Sequence, residues 1–166
     1  EVSFPVLETV SLDLEIAGGP WPNLGQKQGN LHTIELPALK TVGEDLLVEK
    51  NGALQALTLP KLQSVGEDFR IDSNWEMSDI NVGALKTIGG SYTITWNQSL
   101  TWMNPGNIEI GGNFIIADNF ALTGFCGGIT FVGGDFVIEW NPVFDFFALP
   151  ALENIGGDLR IIANEA

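Results

Sequence analysis

Apolar residues recur along this chain at a fixed interval of 22 or 23 residues. A valine or isoleucine followed by glycine, here termed the anchor, occurs six times, and successive anchors are 23, 23, 22, 22 and 23 residues apart. The anchors are Val42, Val65, Ile88, Ile110, Val132 and Ile155. Self-similarity at a constant period is typical of repeat architectures.

Each anchor is followed by an alternating segment. Residues four and six positions after the anchor, at +4 and +6, are large and mostly apolar, whereas those at +5 and +7 are mixed. This alternation predicts a strand with +4 and +6 in the interior and +5 and +7 outside. An earlier coil is recognisable around Val10, Leu14 and Ile16, so about seven coils are expected. They would stack about 4.8 Å apart through main-chain hydrogen bonds.

Asparagine occupies position +9 after every anchor. The six residues are Asn51, Asn74, Asn97, Asn119, Asn141 and Asn164. A buried amide is costly unless its donors and acceptors are paired, so we expect an internal asparagine ladder that closes the corner after the long strand. The glycine after the anchor predicts the corner before that strand. There the aspartates at +3 are expected to cap backbone donors, namely Asp45, Asp68, Asp135 and Asp158.

These patterns predict one all-β domain over residues 1–166, a right-handed parallel β-helix, or β-solenoid. Between Ile16 and Leu36 the chain has about ten residues more than in other coils, so a loop insertion is expected near residues 17–33. Trp21 in this loop is a candidate binding residue; a tolerated surface insertion is the alternative. The chain has no signal peptide or initiating methionine, which suggests a segment of a larger chain or assembly.

The segment from Leu149 to Ile161, followed by Asn164, resembles the receptor L domain. That module occurs in the extracellular parts of insulin and epidermal growth factor receptors and in fungal GPI-anchored cell-wall proteins. The resemblance covers nearly the whole chain. It implies a leucine-rich-repeat-like β-helix on a secreted or surface protein, closest in character to the fungal or microbial surface versions, and it carries over no catalytic residues.

Charge and cysteine content narrow the function classes. A formal net charge of −14, from 21 acidic and 7 basic side chains, argues against binding nucleic acid or an anionic membrane. No uncharged apolar stretch is long enough to predict direct membrane insertion. The single cysteine, Cys126, lies six residues before its anchor, in the same column as Leu59 and Leu149, and is expected to be a small buried thiol. No cofactor or metal is predicted.

Tryptophan provides the candidate binding surface. Trp96 and Trp140 each precede a ladder asparagine, two coils apart and about 10 Å distant, with Asp118 between them. Flat aromatic rings beside a carboxylate can stack on sugar rings, so a glycan contact is one hypothesis. Shielding of a corner is the other. Trp75 and Trp102 are placed where they enlarge this surface.

Other chemical readings are weaker. The stacked pairs Glu44-Asp45 and Glu67-Asp68 offer oxygen ligands for calcium, but solvated corner carboxylates are the preferred interpretation. The glycosylation sequon at Asn97 is expected to be unmodified, because Asn97 belongs to the inward ladder. The only histidine, His32, is expected at the surface.

The sequence therefore predicts a non-catalytic extracellular structural or recognition module, a component of a cell surface, wall, matrix or filament. Its expected partners are proteins or glycans at the cell surface, with end-to-end self-association through open solenoid ends. A carbohydrate-binding module is the alternative. Ice binding and polysaccharide cleavage are less favoured, since threonine pairs do not recur at +5 and +7 and no acid, base and cation cluster is evident.

Overall fold

A computed structural model describes residues 1–19 and 29–164 of the chain, which form strands and turns without a helix in that part. All strand pairs are parallel, and each strand pairs with its equivalent one coil away. The all-β solenoid and its 22- to 23-residue period are thereby confirmed. The two largest sheets contain seven strands each, and six turns of the solenoid connect the successive strands of each of these sheets.

The strands lie in four sheets. The long-strand sheet contains β3 (Leu14–Ala17), β6 (Leu46–Glu49), β9 (Phe69–Asp72), β12 (Tyr92–Thr95), β15 (Phe114–Ala117), β18 (Phe136–Glu139) and β21 (Leu159–Ile162). The anchor sheet contains β2 (Thr9–Val10), β5 (Thr41–Val42), β8 (Ser64–Val65), β11 (Thr87–Ile88), β14 (Glu109–Ile110), β17 (Phe131–Val132) and β20 (Asn154–Ile155). The N-terminal short sheet contains β1 (Val2–Ser3), β4 (Thr33–Glu35), β7 (Ala56–Thr58) and β10 (Asp79–Asn81). The C-terminal short sheet contains β13 (Trp102–Met103), β16 (Gly124–Cys126) and β19 (Phe146–Ala148).

The +4 and +6 columns form the interior of the stack, as predicted. Phe69, Tyr92, Phe114 and Phe136 are fully buried at +4, and their rings stack with centroid separations of 5.0, 5.5 and 4.8 Å. Because each ring packs against the +4 side chains of the neighbouring coils, no coil completes its own core. In the last coil the corresponding Leu159 is 61% exposed, since no described coil covers its outer side.

The predicted asparagine ladder is present. In Asn97, the side-chain Nδ2 donates to the backbone oxygen of Ile71 in the preceding coil at 3.0 Å and to that of Thr95 at 2.9 Å. The backbone N–H of Asn97 donates to Asn119 Oδ1 in the following coil at 3.0 Å. The same pattern links the asparagines from Asn51 to Asn164. The amide oxygen therefore pairs a buried backbone N–H of the preceding coil, and Nδ2 adds a hydrogen bond to each of two carbonyls.

A second polar ladder runs along position +3. The N–H of Asp68 donates to Asp45 Oδ1 at 2.8 Å, and the N–H of Ser91 donates to Asp68 Oδ1 at 2.7 Å. The predicted capping of backbone donors by aspartates is therefore confirmed for Asp45, Asp68 and Asp135. Ser91 and Asn113 replace aspartate in coils four and five and accept in the same way. A side chain on Gly90 or Gly112 would collide with these acceptors, which explains the doubled glycines.

The expected burial of Cys126 is wrong. Cys126 is exposed, and Phe125 is the buried residue at this level. The error arises from counting backward from the anchor: the 22-residue coils lose a residue between the short strand and the next anchor. Cys126 and Asn104 therefore align with outward residues such as Asn81, and both side chains are exposed. Counting forward from the anchor gives the correct face.

We predict that Asn97→Ala strongly lowers the free energy of unfolding. The substitution removes the acceptor of the buried Asn74 backbone N–H and one hydrogen bond to each of two carbonyls, and a buried group left unpaired costs about 1–3 kcal/mol. Chemical denaturation, monitored by circular dichroism, measures the loss in the free energy of unfolding. Asn154→Ala, at an exposed asparagine of β20, is the matched control and should change stability by less than about 0.5 kcal/mol. Equal effects of the two substitutions would contradict a stabilising ladder.

Candidate functional site

The corner after the long strand has a repeated and unusual backbone conformation. The residue at +8, immediately before each ladder asparagine, has φ between 54 and 60° in all six anchored coils, although none of these residues is glycine. They are Lys50, Ser73, Trp96, Asp118, Trp140 and Ala163. Positive φ is uncommon for such residues and costs about 1 kcal/mol or more. The corner therefore places a strained residue at one fixed position in every coil.

Trp96 and Trp140 occupy this position in coils four and six. Trp96 is 42% exposed and Trp140 is 58% exposed, so both indoles reach solvent. The continuous pairing of β12, β15 and β18 puts their Cα atoms two strand spacings apart, about 9.6 Å. The corner between them is occupied by Asp118, as predicted from the sequence.

Phe120 extends the aromatic surface. Its exposed ring lies edge-on to Trp96, with ring centroids 6.1 Å apart and an interplanar angle of 66°. Trp75 occupies the same repeat position as Phe120, two coils earlier, and its side chain is half-buried. We term Trp75, Trp96, Asp118, Phe120 and Trp140 the corner patch. Exposed apolar surface of this kind marks binding sites more often than an isolated exposed side chain does.

The carboxyl of Asp118 lies in a partly desolvated and negative environment. Burial raises the pKa of Asp118 above its ordinary value, and the negative charge of Glu139 raises it further. The Asp118 backbone oxygen accepts a hydrogen bond from Gln98 Nε2 at 3.2 Å. This part of the patch therefore offers polar groups between two aromatic rings and disfavours additional negative charge.

A charged network borders the patch on coils two to four. Arg70 Nε lies 3.1 Å from Glu49 Oε1, and Arg70 Nη2 lies 3.5 Å from Asp72 Oδ2. The buried Asp72 also accepts hydrogen bonds from Thr95 Oγ1 at 2.6 Å and from Ser73 Oγ at 3.1 Å. The network engages these polar side chains of coils two to four in contacts with one another.

A second aromatic pair lies further along the same coils. Trp102 of β13 and Phe146 of β19 are both exposed, and their rings are nearly parallel with centroids 6.3 Å apart. Gly124 of β16 lies in register between them, where a Cβ atom would lie 3.0 Å from the Trp102 ring. Trp102 therefore has a ring partner of its own on the C-terminal short sheet, apart from the five residues that define the corner patch.

The remaining sequence candidates lie elsewhere. Trp21 lies outside the described residues. His32 is exposed, as expected, and its Nδ1 lies 3.2 Å from the Ala53 backbone oxygen. Asn97 is fully buried in the ladder. Within residues 1–19 and 29–164, no group of three or more His, Cys, Asp or Glu side chains is arranged to hold a metal ion, so the calcium alternative at Glu44 and Glu67 gains no geometric support.

The described part of the chain contains no helix of the length and apolar character that membrane crossing requires. Comparison with protein-family models, curated proteins and solved structures found no match to the chain. The resemblance to the receptor L domain therefore bears on function only as a proposal.

Two features of the site were missed in the sequence. Phe120 was not recognised because its column, at +10, contains glycine, tryptophan, glutamine and proline in other coils. The positive φ at +8 was also unexpected because none of the six residues is glycine. The available signal was position: Trp96 and Trp140 both immediately precede the ladder asparagine.

We predict that Trp140→Asn maintains or raises the free energy of unfolding, by up to about 1 kcal/mol. Asparagine tolerates the left-handed conformation better than tryptophan does, and Trp140 is the most exposed indole of the patch. Thermal and chemical denaturation provide the measurement. Trp140→Val is the control and should be destabilising, because a β-branched residue fits poorly at positive φ. A marked loss of stability in Trp140→Asn would instead favour the structural role of shielding the corner.

Proposed function

We propose that this protein is a non-catalytic extracellular recognition module whose corner patch binds glycans at a cell surface or wall. The observation that supports this proposal best is the pair of solvent-exposed indoles, Trp96 and Trp140, at equivalent positions on either side of Asp118. Sugar rings present apolar C–H faces that stack on aromatic rings, and their hydroxyls bond to carboxylates. The patch supplies both kinds of group.

The rigidity of the scaffold favours recognition. The ladder asparagine beside each patch residue is fully buried and hydrogen-bonded to the coils before and after it. Side chains at the neighbouring +8 positions are therefore presented from a backbone that does not need to be ordered on binding. A pre-organised site loses less conformational entropy when a ligand binds.

The surface location agrees with binding in preference to catalysis. Trp96 and Trp140 are each about half exposed, and the Asp118 side chain is only partly buried. An enzyme that cleaves glycosidic bonds needs a general acid and a general base or nucleophile placed on either side of the bond. Open access suits a module that holds a glycan and releases it unchanged. The extracellular location is proposed from the resemblance to receptor L domains.

We predict that Trp140→Ala reduces glycan binding at least tenfold, because half of the aromatic surface that stacks on sugar is removed. A glycan array identifies bound structures, and isothermal titration calorimetry quantifies the change. Phe131→Ala removes an exposed aromatic ring from the anchor sheet and serves as the control with unchanged affinity. Equal binding by both variants and the original chain would exclude the corner patch as the site.

A structural role by self-association is a second candidate, supported by the outermost strand of the long-strand sheet. Among the strands of residues 1–19 and 29–164, β21 pairs with β18 alone, and Leu159 and Ile161 are exposed although their columns are buried in the inner coils. An exposed apolar edge strand is a template for a further strand. We propose that a second copy of this chain supplies that strand.

For this role we expect concentration-dependent oligomers in sedimentation-velocity measurements. Ile161→Glu should shift the distribution toward monomer, because a charge at the edge of the core opposes stacking. Phe131→Glu adds the same charge to an exposed apolar position of the anchor sheet and should leave association unchanged. A strictly monomeric original chain at high concentration would exclude the proposed assembly.

A further inference from the structure

The geometry of the corner patch restricts the kind of glycan that it can accommodate. Trp96 and Trp140 are separated by two coils of 22 residues each, and their φ values are 56 and 54°. Strands β12, β15 and β18 pair continuously in register, with Thr95 opposite Ala117 and Ala117 opposite Glu139. The Cα atoms of the two tryptophans thus repeat along the solenoid axis at about 9.6 Å, twice the strand spacing.

Glycan linkage determines whether a chain can follow such a repeat. In extended β-1,4-linked glycans, neighbouring sugar units are rotated by about half a turn, so alternate units present the same face to the same side. The distance between those units, one disaccharide, is close to two strand spacings. Chains of α-1,4-linked sugars curve into helices, so their sugar units do not stay aligned with a straight row of aromatic rings.

We propose that the corner patch binds a neutral, extended β-1,4-linked glycan parallel to the solenoid axis, with alternate sugar units stacked on Trp96 and Trp140. This inference rests on the glycan-binding function proposed above. The unit between the two stacked sugars lies over coil five, where Asp118 stands at the same corner position. Its carboxyl group is available for hydroxyls of that central unit.

The charge of the site selects neutral sugars over acidic ones. Asp118 already lies within the electrostatic influence of Glu139, and burial and that charge together disfavour its ionised form. A uronic acid unit over coil five would add a third carboxylate to this region. The net charge of −14 on the whole chain acts in the same direction. Polygalacturonate and similar chains should therefore be rejected.

Phe120 supports the orientation of one of the two rings. It contacts Trp96 edge-on from coil five, so the Trp96 indole is held laterally while about two fifths of its surface stays exposed. If the two rings only shielded the corner, their spacing would not need to match the repeat of a glycan, and binding would not depend on glycan length. A ligand-length effect therefore separates recognition from shielding.

The test uses calorimetric titration of the full chain with glycans of graded length and linkage. Cellobiose reaches only one indole, whereas cellotriose reaches both, so affinity should rise at least tenfold between them. This step should disappear in Trp96→Ala and in Trp140→Ala. It should persist in Trp102→Ala, which removes an indole of the neighbouring C-terminal short sheet. Maltohexaose and oligogalacturonate should bind at least tenfold more weakly than cellohexaose.

The outcomes distinguish this inference from the function on which it rests. Patch-dependent binding of maltohexaose or another glycan, without binding of cellohexaose or N-acetylchitohexaose, would overturn the β-1,4 assignment while leaving glycan recognition in place. Binding of β-1,4 glycans without the step between two and three units would overturn the two-ring arrangement. Failure of every glycan to bind would remove both proposals. Circular dichroism of each variant confirms that the solenoid remains folded.

Discussion

The asparagine amide at position +9 is the interaction on which this architecture depends. Each Nδ2 group bonds to the carbonyl of residue +7 in its own coil and to a carbonyl of the preceding coil, as Asn119 does with Ala117 and Ile94. The bond to +7 spans residue +8 and closes a tight loop around it. That residue takes positive φ in every anchored coil, whatever its side chain. The buried polar network therefore determines the conformation of the solvent-facing corner.

This dependence separates the roles of neighbouring positions. Position +9 is restricted to asparagine because its amide must both donate and accept, while position +8 varies among lysine, serine, tryptophan, aspartate and alanine. The core positions at +4 and +6 are restricted by packing between coils. Chemical variety is thus concentrated at positions that the fold holds rigidly but does not restrict in identity. Such positions are suited to recognition, because changing the side chain leaves the scaffold bonds intact.

The repeat allowed the sheets, the buried columns and the asparagine ladder to be predicted, because each residue type was constrained independently in six coils. The prediction failed where the period changes: the residue missing from the 22-residue coils moved Cys126 and Asn104 to the outer face of the short strand. The +3 ladder was recognised only at its aspartates, since Ser91 and Asn113 perform the same role with different side chains. Phe120 and the conformation of Trp96 follow from contacts between coils, which a single-coil pattern does not encode.

The distribution of aromatic residues gives coil five a particular role. Coils four and six carry two aromatic pairs, Trp96 with Trp140 and Trp102 with Phe146, and coil five places a smaller residue between the members of each pair. Between Trp102 and Phe146, coil five must place a glycine, because any side chain on Gly124 would meet the Trp102 ring and the Phe146 backbone. At the first pair Asp118 is a shorter side chain than either indole and places a polar group between them. Coil five thus keeps the flanking rings accessible, and the two-coil spacing follows directly from strand pairing in the scaffold.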